Sequence, residues 1–257
     1  MIREHLFHKR LGADPLFRWR GGEISRMEGL SDGVFAVTLT LLAFSLNTPK
    51  TFYELWLTIK EIPAFLVCFF ILMRLWRYHF LFFRRYGLDD ALTSFLNSAL
   101  LFFVLCCAYP LKFLVTFIWK LILREDVQFM FSVPEGVAQE FGLFFQRAGM
   151  LYFFGFGVLC VFAVLALMLW RAFALRERLQ LDKLERFLTI ASLRSHLITL
   201  CVAVISLVVL ASGAQPGIAG VVYFALFFIH PTHHILNKLT IAKIARELKL
   251  DERPALA

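Results

Sequence analysis

The sequence predicts an all-α polytopic membrane protein, and three observations carry that expectation. Hydrophobic residues make up 60% of the chain, well above the roughly 45–50% of soluble domains. The apolar residues gather in long runs near the twenty or so that a helix needs to cross the hydrocarbon core. Charge falls almost entirely between those runs, so the net +8 reads as basic connections against anionic headgroups. No nucleic-acid partner is expected from it.

The runs predict spans over about 27–46, 58–82, 92–118, 148–171, 193–211 and 216–235, which put both termini on one side. Residues 1–25 are charged and lack a central apolar stretch. They form an N-terminal segment rather than a cleavable signal, and the first span serves for insertion. Residues 26–237 form one six-helix transmembrane domain, and 238–257 form a basic tail.

Orientation follows from the connections. Arg3, Lys9, Arg10, Arg18, Arg20 and Arg26 precede the first span, Arg84 and Arg85 follow the second, and Arg171, Arg176, Arg178, Lys183, Arg186 and Arg194 follow the fourth. Lys238, Lys243, Arg246, Lys249 and Arg253 lie in the tail. The alternate connections hold only Lys50, Lys60, Lys120, Arg124 and Arg147, so both termini are expected in the cytoplasm.

Ser212 to Gly217, with Gly213 and Pro216, is a tight breaker that makes the last two spans an antiparallel pair. Arg171 to Arg186 carries Leu175, Leu179 and Leu184 among charges and is expected to continue the fourth helix beyond the membrane. Cys68, Cys106, Cys107, Cys160 and Cys201 all lie in apolar segments without C-x-x-C spacing, and read as buried small hydrophobes.

Polar groups inside a bilayer need a partner or a task. Ser31 and Asp32 near the start of the first span, Trp76 and His79 late in the second and Asn97 early in the third fall at one depth, with Arg26 beside them. They predict a hydrogen-bonded knot in which Asp32 accepts from His79, Asn97 or an arginine. Packing and direct ion chemistry both remain open for it.

On a helical wheel Gly33, Val37, Thr40, Leu41 and Phe44 share a face of the first span, with Asp32 and Phe35 opposite. Such an uncharged line forms a dewetting constriction if several copies surround an axis. Taken alone, such a stripe is more often ordinary helix packing.

Two other function classes have sequence features of their own. His230, His233 and His234 share a face near the end of the sixth span, as in a membrane-embedded metal-binding protein or enzyme. No carboxylate or cysteine lies nearby, and Pro231 reads as a helix end, so an interfacial role is favoured and no resident metal or other cofactor is expected. A secondary transporter would show inverted repeats and broken helices. Only Pro63 and Pro110 qualify as breaks.

The run Arg26-Met27-Glu28-Gly29-Leu30-Ser31-Asp32 resembles the signature that opens the first helix of the transmembrane protein 175 family of potassium channels. Trp76-x-x-His79, Asn97 and Tyr109-Pro110-Leu111 resemble its remaining landmarks, over roughly residues 24–118. The resemblance implies a homotetramer in the plasma membrane of a prokaryote, with the first helix lining a central pore permeable to K+ and, less readily, other monovalent cations. It assigns Val37, Leu41 and Phe44 to apolar rings, Thr40 to a selectivity ring and no enzymatic activity. Leu30 stands where the family commonly has Phe, Val37 is smaller than the usual Ile or Leu, and Phe44 is larger than the usual Leu. The narrowest ring is accordingly expected to shift toward Phe44.

Overall fold

In a bilayer each backbone N–H and C=O must be satisfied within its own segment, so apolar runs of this length become helices. The computed structural model describes residues 16–44, 49–131 and 143–247, which are helical apart from short connections. In chain order the helices are α1 (Arg26–Phe44), α2 (Phe52–Tyr86), α3 (Ala91–Ile122), α4 (Leu143–Ala174), α5 (Lys183–Ala211), α6 (Pro216–Val221) and α7 (Ala225–Glu247). A 3-10 turn, Gln128–Phe131, precedes α4, and another, Val222–Phe224, joins α6 to α7.

Among the described residues, five stretches are long and apolar enough to cross a membrane: α2, α3, α5, Gln146–Ala174 and Pro216–Ile244. The 19-residue α1 carries Arg26, Glu28 and Asp32 and stands apart from them in composition. At 35 residues α2 is about 50 Å long, against about 30 Å of hydrocarbon. Hydropathy registers only the greasy middle of such a helix, which is why 58–82 and 193–211 fall short of the observed bounds.

Local chemistry sets the ends. Thr51 caps α2 by accepting from the Glu54 N–H at 3.2 Å, and Gly87 closes it in the left-handed region at φ 58°. Asp182 and Glu185 form a reciprocal capping box at the start of α5.

That box corrects one expectation. Helix α4 stops at Ala174 instead of running on toward Arg186; Leu175–Gln180 folds into hydrogen-bonded turns, Gln180 has φ 50°, and Asp182 starts a new helix. Pro231 likewise lies inside α7 and does not end it.

The starts of α1, α3 and α5 meet the ends of α2 and α4 at one end of the bundle. Asn97 of α3 reaches Ser31 and His79, Tyr86 of α2 reaches Thr189 of α5, and Asp90 before α3 pairs with Arg171 of α4. At the other end the Trp119 indole donates to the Lys60 carbonyl at 2.8 Å, beside Lys60, Glu61, Lys120 and Glu125.

Ser206 of α5 donates to the Ala219 carbonyl at 2.8 Å, and Thr199 meets His230 at 3.1 Å, so the last pair is antiparallel. The main core joins α1, α2, α3 and α4 through Phe35, Leu42, Leu72, Phe82, Leu100 and Met168. All five cysteines are free; Cys68 is buried, whereas Cys106 and Cys201 are exposed, contrary to the expectation that all are interior.

Candidate functional site

Helix α1 has two unlike faces. Ser31, Phe35, Thr38 and Leu42 recur at three- and four-residue steps and are all buried against the bundle. Gly29, Gly33, Ala36, Val37, Thr40 and Leu41 are exposed, Val37 at 54% and Leu41 at 40%. Phe44 is the last residue of the helix, and its side chain lies outside the described set. The Thr40 hydroxyl donates to the Ala36 carbonyl at 2.8 Å, which spends its proton and leaves its oxygen lone pairs as the outward-facing polar group.

The buried face ends in a directional chain of hydrogen bonds. Ser31 donates to the Met27 carbonyl at 2.8 Å, so its oxygen must accept from the Asn97 amide at 2.9 Å. That orients the Asn97 oxygen toward His79, 2.8 Å away, and makes His79 the donor through Nε2. Ser31, His79 and Asn97 are all essentially inaccessible.

Asp32 belongs to a different branch. It is exposed and accepts from the Trp76 indole at 2.8 Å rather than from His79, Asn97 or an arginine. The reason is rotation: adjacent helix positions differ by about 100°, so a Ser31 aimed into the core leaves Asp32 at its rim. Arg26 is exposed at the helix start, and the structure does not draw it into the chain of bonds. Trp76 also stacks on Phe80 with centroids 5.5 Å apart.

A second set of residues, absent from the sequence-based site, anchors the chain entering α1. Gly21 and Arg20 donate backbone N–H groups to the Arg84 carbonyl at 3.1 and 3.0 Å. A Cβ on Gly21 would lie 2.6 Å from the Phe83 oxygen, and one on Gly87 would lie 2.9 Å from the Arg20 oxygen, so two glycines permit this close approach.

The Arg20 guanidinium pairs with Glu185 and donates to the Leu179 carbonyl at 2.7 Å, while the Arg18 N–H also reaches Glu185 at 2.8 Å. Arg84 pairs with Glu28 at 2.5 Å and reaches the Gly22 carbonyl at 2.8 Å. Asp182-x-x-Glu185 was the available signal for this anchor, since it marks a helix start ten residues before the greasy part of the fifth span.

The three late histidines do not converge, and His234 is exposed. His230 uses both ring nitrogens on Ser195 and Thr199 at 3.3 and 3.1 Å, and His233 meets Asn237. Among the described residues no three His, Cys, Asp or Glu side chains gather as a metal site would require.

In sequence and fold the chain is similar to known channels. Residues 26–110 match the family described as endosomal/lysosomal potassium channel TMEM175. The chain is 35% identical over 206 residues to a potassium channel of Marivirga tractuosa, covering 79% of this chain and 81% of that one. A potassium channel of Streptomyces collinus is 30% identical over 110 residues, 40% of this chain and 51% of that protein.

The crystal structure of a variant of the potassium channel MtTMEM175, solved with a nanobody–MBP fusion, superposes with a TM-score of 0.73 at 30% identity, covering 90% of this chain and 99% of that one. Membrane-spanning helices, sequence and fold are thus those of an integral membrane channel family and not of an enzyme. The chain belongs to the TMEM175 family of potassium channels.

Proposed function

We propose that this chain is one subunit of a homotetrameric, potassium-permeable cation channel whose pore is lined by the exposed face of α1. Val37, Leu41 and Phe44 form successive apolar rings that dewet the path when narrow, and the Thr40 ring offers hydroxyl oxygens to a partly dehydrated cation. Modest preference for K+ over Na+ follows, since no cage of carbonyls surrounds the ion. No cofactor is needed; the permeant ion and membrane lipids are the ligands.

The observation that carries this reading is the division of α1. Its polar and bulky side is spent on the bundle through Ser31, Phe35, Thr38 and Leu42, while an uncharged stripe with two large aliphatics is left uncovered. A single chain gives that stripe nothing to surround, so symmetric copies are the natural completion.

The Arg26, Ser31, Asp32, Trp76, His79 and Asn97 set holds α1 at a defined rotation and tilt, with Arg26 at its edge. Residues 1–25 and 238–257 are placed in the cytoplasm of a prokaryotic cell, on either side of the channel domain 26–237, by the excess of basic residues at that end.

Planar-bilayer recording of the purified protein with K+ and Na+ on opposite sides tests the proposal. A cation current with a reversal potential favouring K+, and a conductance that changes on substituting Val37 or Leu41, is expected. Silent tetramers, or conductance indifferent to both substitutions, would contradict it.

A further inference from the structure

One lysine lies inside a membrane-spanning stretch and has no task in the proposed ion path. Lys112 of α3 comes seven residues before Trp119, about 10 Å along the axis. It therefore sits below the polar belt in which the Trp119 indole holds the Lys60 carbonyl. An ammonium at that depth is costly and calls for a partner or a task. It also has space beside it. With Glu61, Thr116 and Gln146 it lines a cleft of about 720 Å³ between α2, α3 and the start of α4.

The rest of the wall is apolar and adaptable. Phe113, Met130, Met150 and Phe153 line it, and thioether side chains reshape readily around an apolar guest. Phe153 is 74% exposed and Phe113 39%, so the cleft of the subunit opens sideways. Gly149 of α4 widens it, since a Cβ built there meets no described atom within 4 Å. No neighbouring side chain requires that glycine, although a helix interior favours alanine by about 1 kcal/mol.

Charge decides what fits there. Glu61 at the mouth faces Lys120 at 3.6 Å, and Glu125 faces Lys60 and Lys120 at 3.6 and 3.7 Å. Two carboxylates are thus matched by two ammonium groups, and Lys112 makes the five side chains together net positive. Lys112, Thr116 and Lys120 recur at four-residue steps on one face of α3. This polar stripe rises from the cleft to the belt, and the long stem of a lysine lets its head follow the stripe. A guest with one acidic group above an apolar body matches both parts of the wall. The volume falls within the roughly 300–1,000 Å³ of pockets that enclose small organic ligands, which gives room for a single chain.

We propose that the cleft between α2, α3 and α4 binds a single-chain amphiphile with an acidic head, the head held by Lys112 and Thr116 and the chain lying among Phe113, Met150 and Phe153. The site is separate from the exposed stripe of α1, and its assignment does not depend on where the ions pass.

Native mass spectrometry of the purified full-length protein in neutral detergent tests it, with dodecyl phosphate, dodecanol, dodecyltrimethylammonium and inorganic phosphate supplied in parallel. Preferential retention of dodecyl phosphate is expected, reduced about fivefold by Lys112→Gln and kept by Lys112→Arg. Gly149→Leu, which fills the cleft without changing any charge, should abolish retention while leaving the helix content unchanged by circular dichroism. Should Lys112→Gln fail to fold, Gly149→Leu carries the test alone.

Equal retention of the three dodecyl probes overturns the site. So does unchanged retention in folded Lys112→Gln or Gly149→Leu, or displacement of dodecyl phosphate by an equal concentration of inorganic phosphate. Because the readout is retained amphiphile, a channel that conducts without preferring dodecyl phosphate contradicts this site only. A protein that retains dodecyl phosphate but passes no current contradicts the conduction proposal only.

Discussion

Helices α1 and α7 both leave most of their surface uncovered, yet they expose different chemistry and are held in different ways. The open side of α7 is large and apolar, with Phe224 just before it and Phe227, Phe228, Ile235, Leu236 and Leu239 along it. The open side of α1 is small and interrupted by polarity, with Gly29, Gly33, Ala36 and Thr40 around Val37 and Leu41. Exposure alone therefore does not tell a lipid-facing helix from a pore-facing one. Side-chain size and anchoring differ as well: α1 is fixed by buried amide, hydroxyl and ion-pair contacts at its entrance, α7 by His230 against Ser195 and Thr199.

If that contrast is right, damage to the anchors of α1 should cost far more than damage to those of α7. The largest effect is expected for Glu185→Ala, which leaves the nearly buried Arg20 and the Arg18 N–H without their acceptor. Losing one partner of such a pair costs about 3 kcal/mol, read as a fall of about 6–12 °C in the melting temperature of the purified protein.

Next comes Asn97→Leu, which strands both His79 and Ser31 in the interior. A loss of about 2 kcal/mol is expected, together with faster exchange of backbone amides in the first turns of α1 by hydrogen-exchange mass spectrometry. Amides in α7 should not respond; equal loosening of both helices would remove the contrast.

Thr199→Val, which removes one of the two His230 contacts of α7 and a bond to the Ser195 carbonyl within α5, should cost under about 1 kcal/mol and leave α1 exchange unchanged. The smallest effect is expected outside both helices, at Asp90. The Thr93 hydroxyl, and after it Arg171, hold the Asp90 carboxyl below its ordinary range. The stability this adds is present above the unfolded value near about 4 and disappears as pH falls through the lower folded value. Thermal scans of Asp90→Asn against the parent should differ slightly at neutral pH and converge in acid.

The two regions also differ in how legible they are from sequence. Hydropathy locates every long helix, because apolar runs have no other place to go, but it stops where the grease stops. It therefore misses the polar first turns of α5, where Asp182 and Glu185 sit. The residues at the entrance of α1 can be listed from their depth, yet their wiring cannot. Whether Asp32 or Ser31 faces Asn97 depends on helix rotation, which neighbouring packing fixes. The link from Arg20 to Glu185 joins positions 165 residues apart, and nothing in their local composition pairs them. The late histidines show the reverse case: proximity in sequence suggests one site, and the helix sends His230 to hydroxyls of α5, His233 to Asn237 of α7 itself and His234 outward.

The central claim is that the exposed stripe of α1, and not that of α7, borders the ion path. Its most direct test compares Val37→Cys with Phe228→Cys in bilayer recordings, each treated with a cationic thiol reagent and referred to the parent protein, whose own Cys106 and Cys201 are exposed. Rapid loss of current in the Val37 variant, with the Phe228 variant behaving as the parent, is the predicted result. Current that survives modification at Val37, or is lost equally at both positions, would contradict the account.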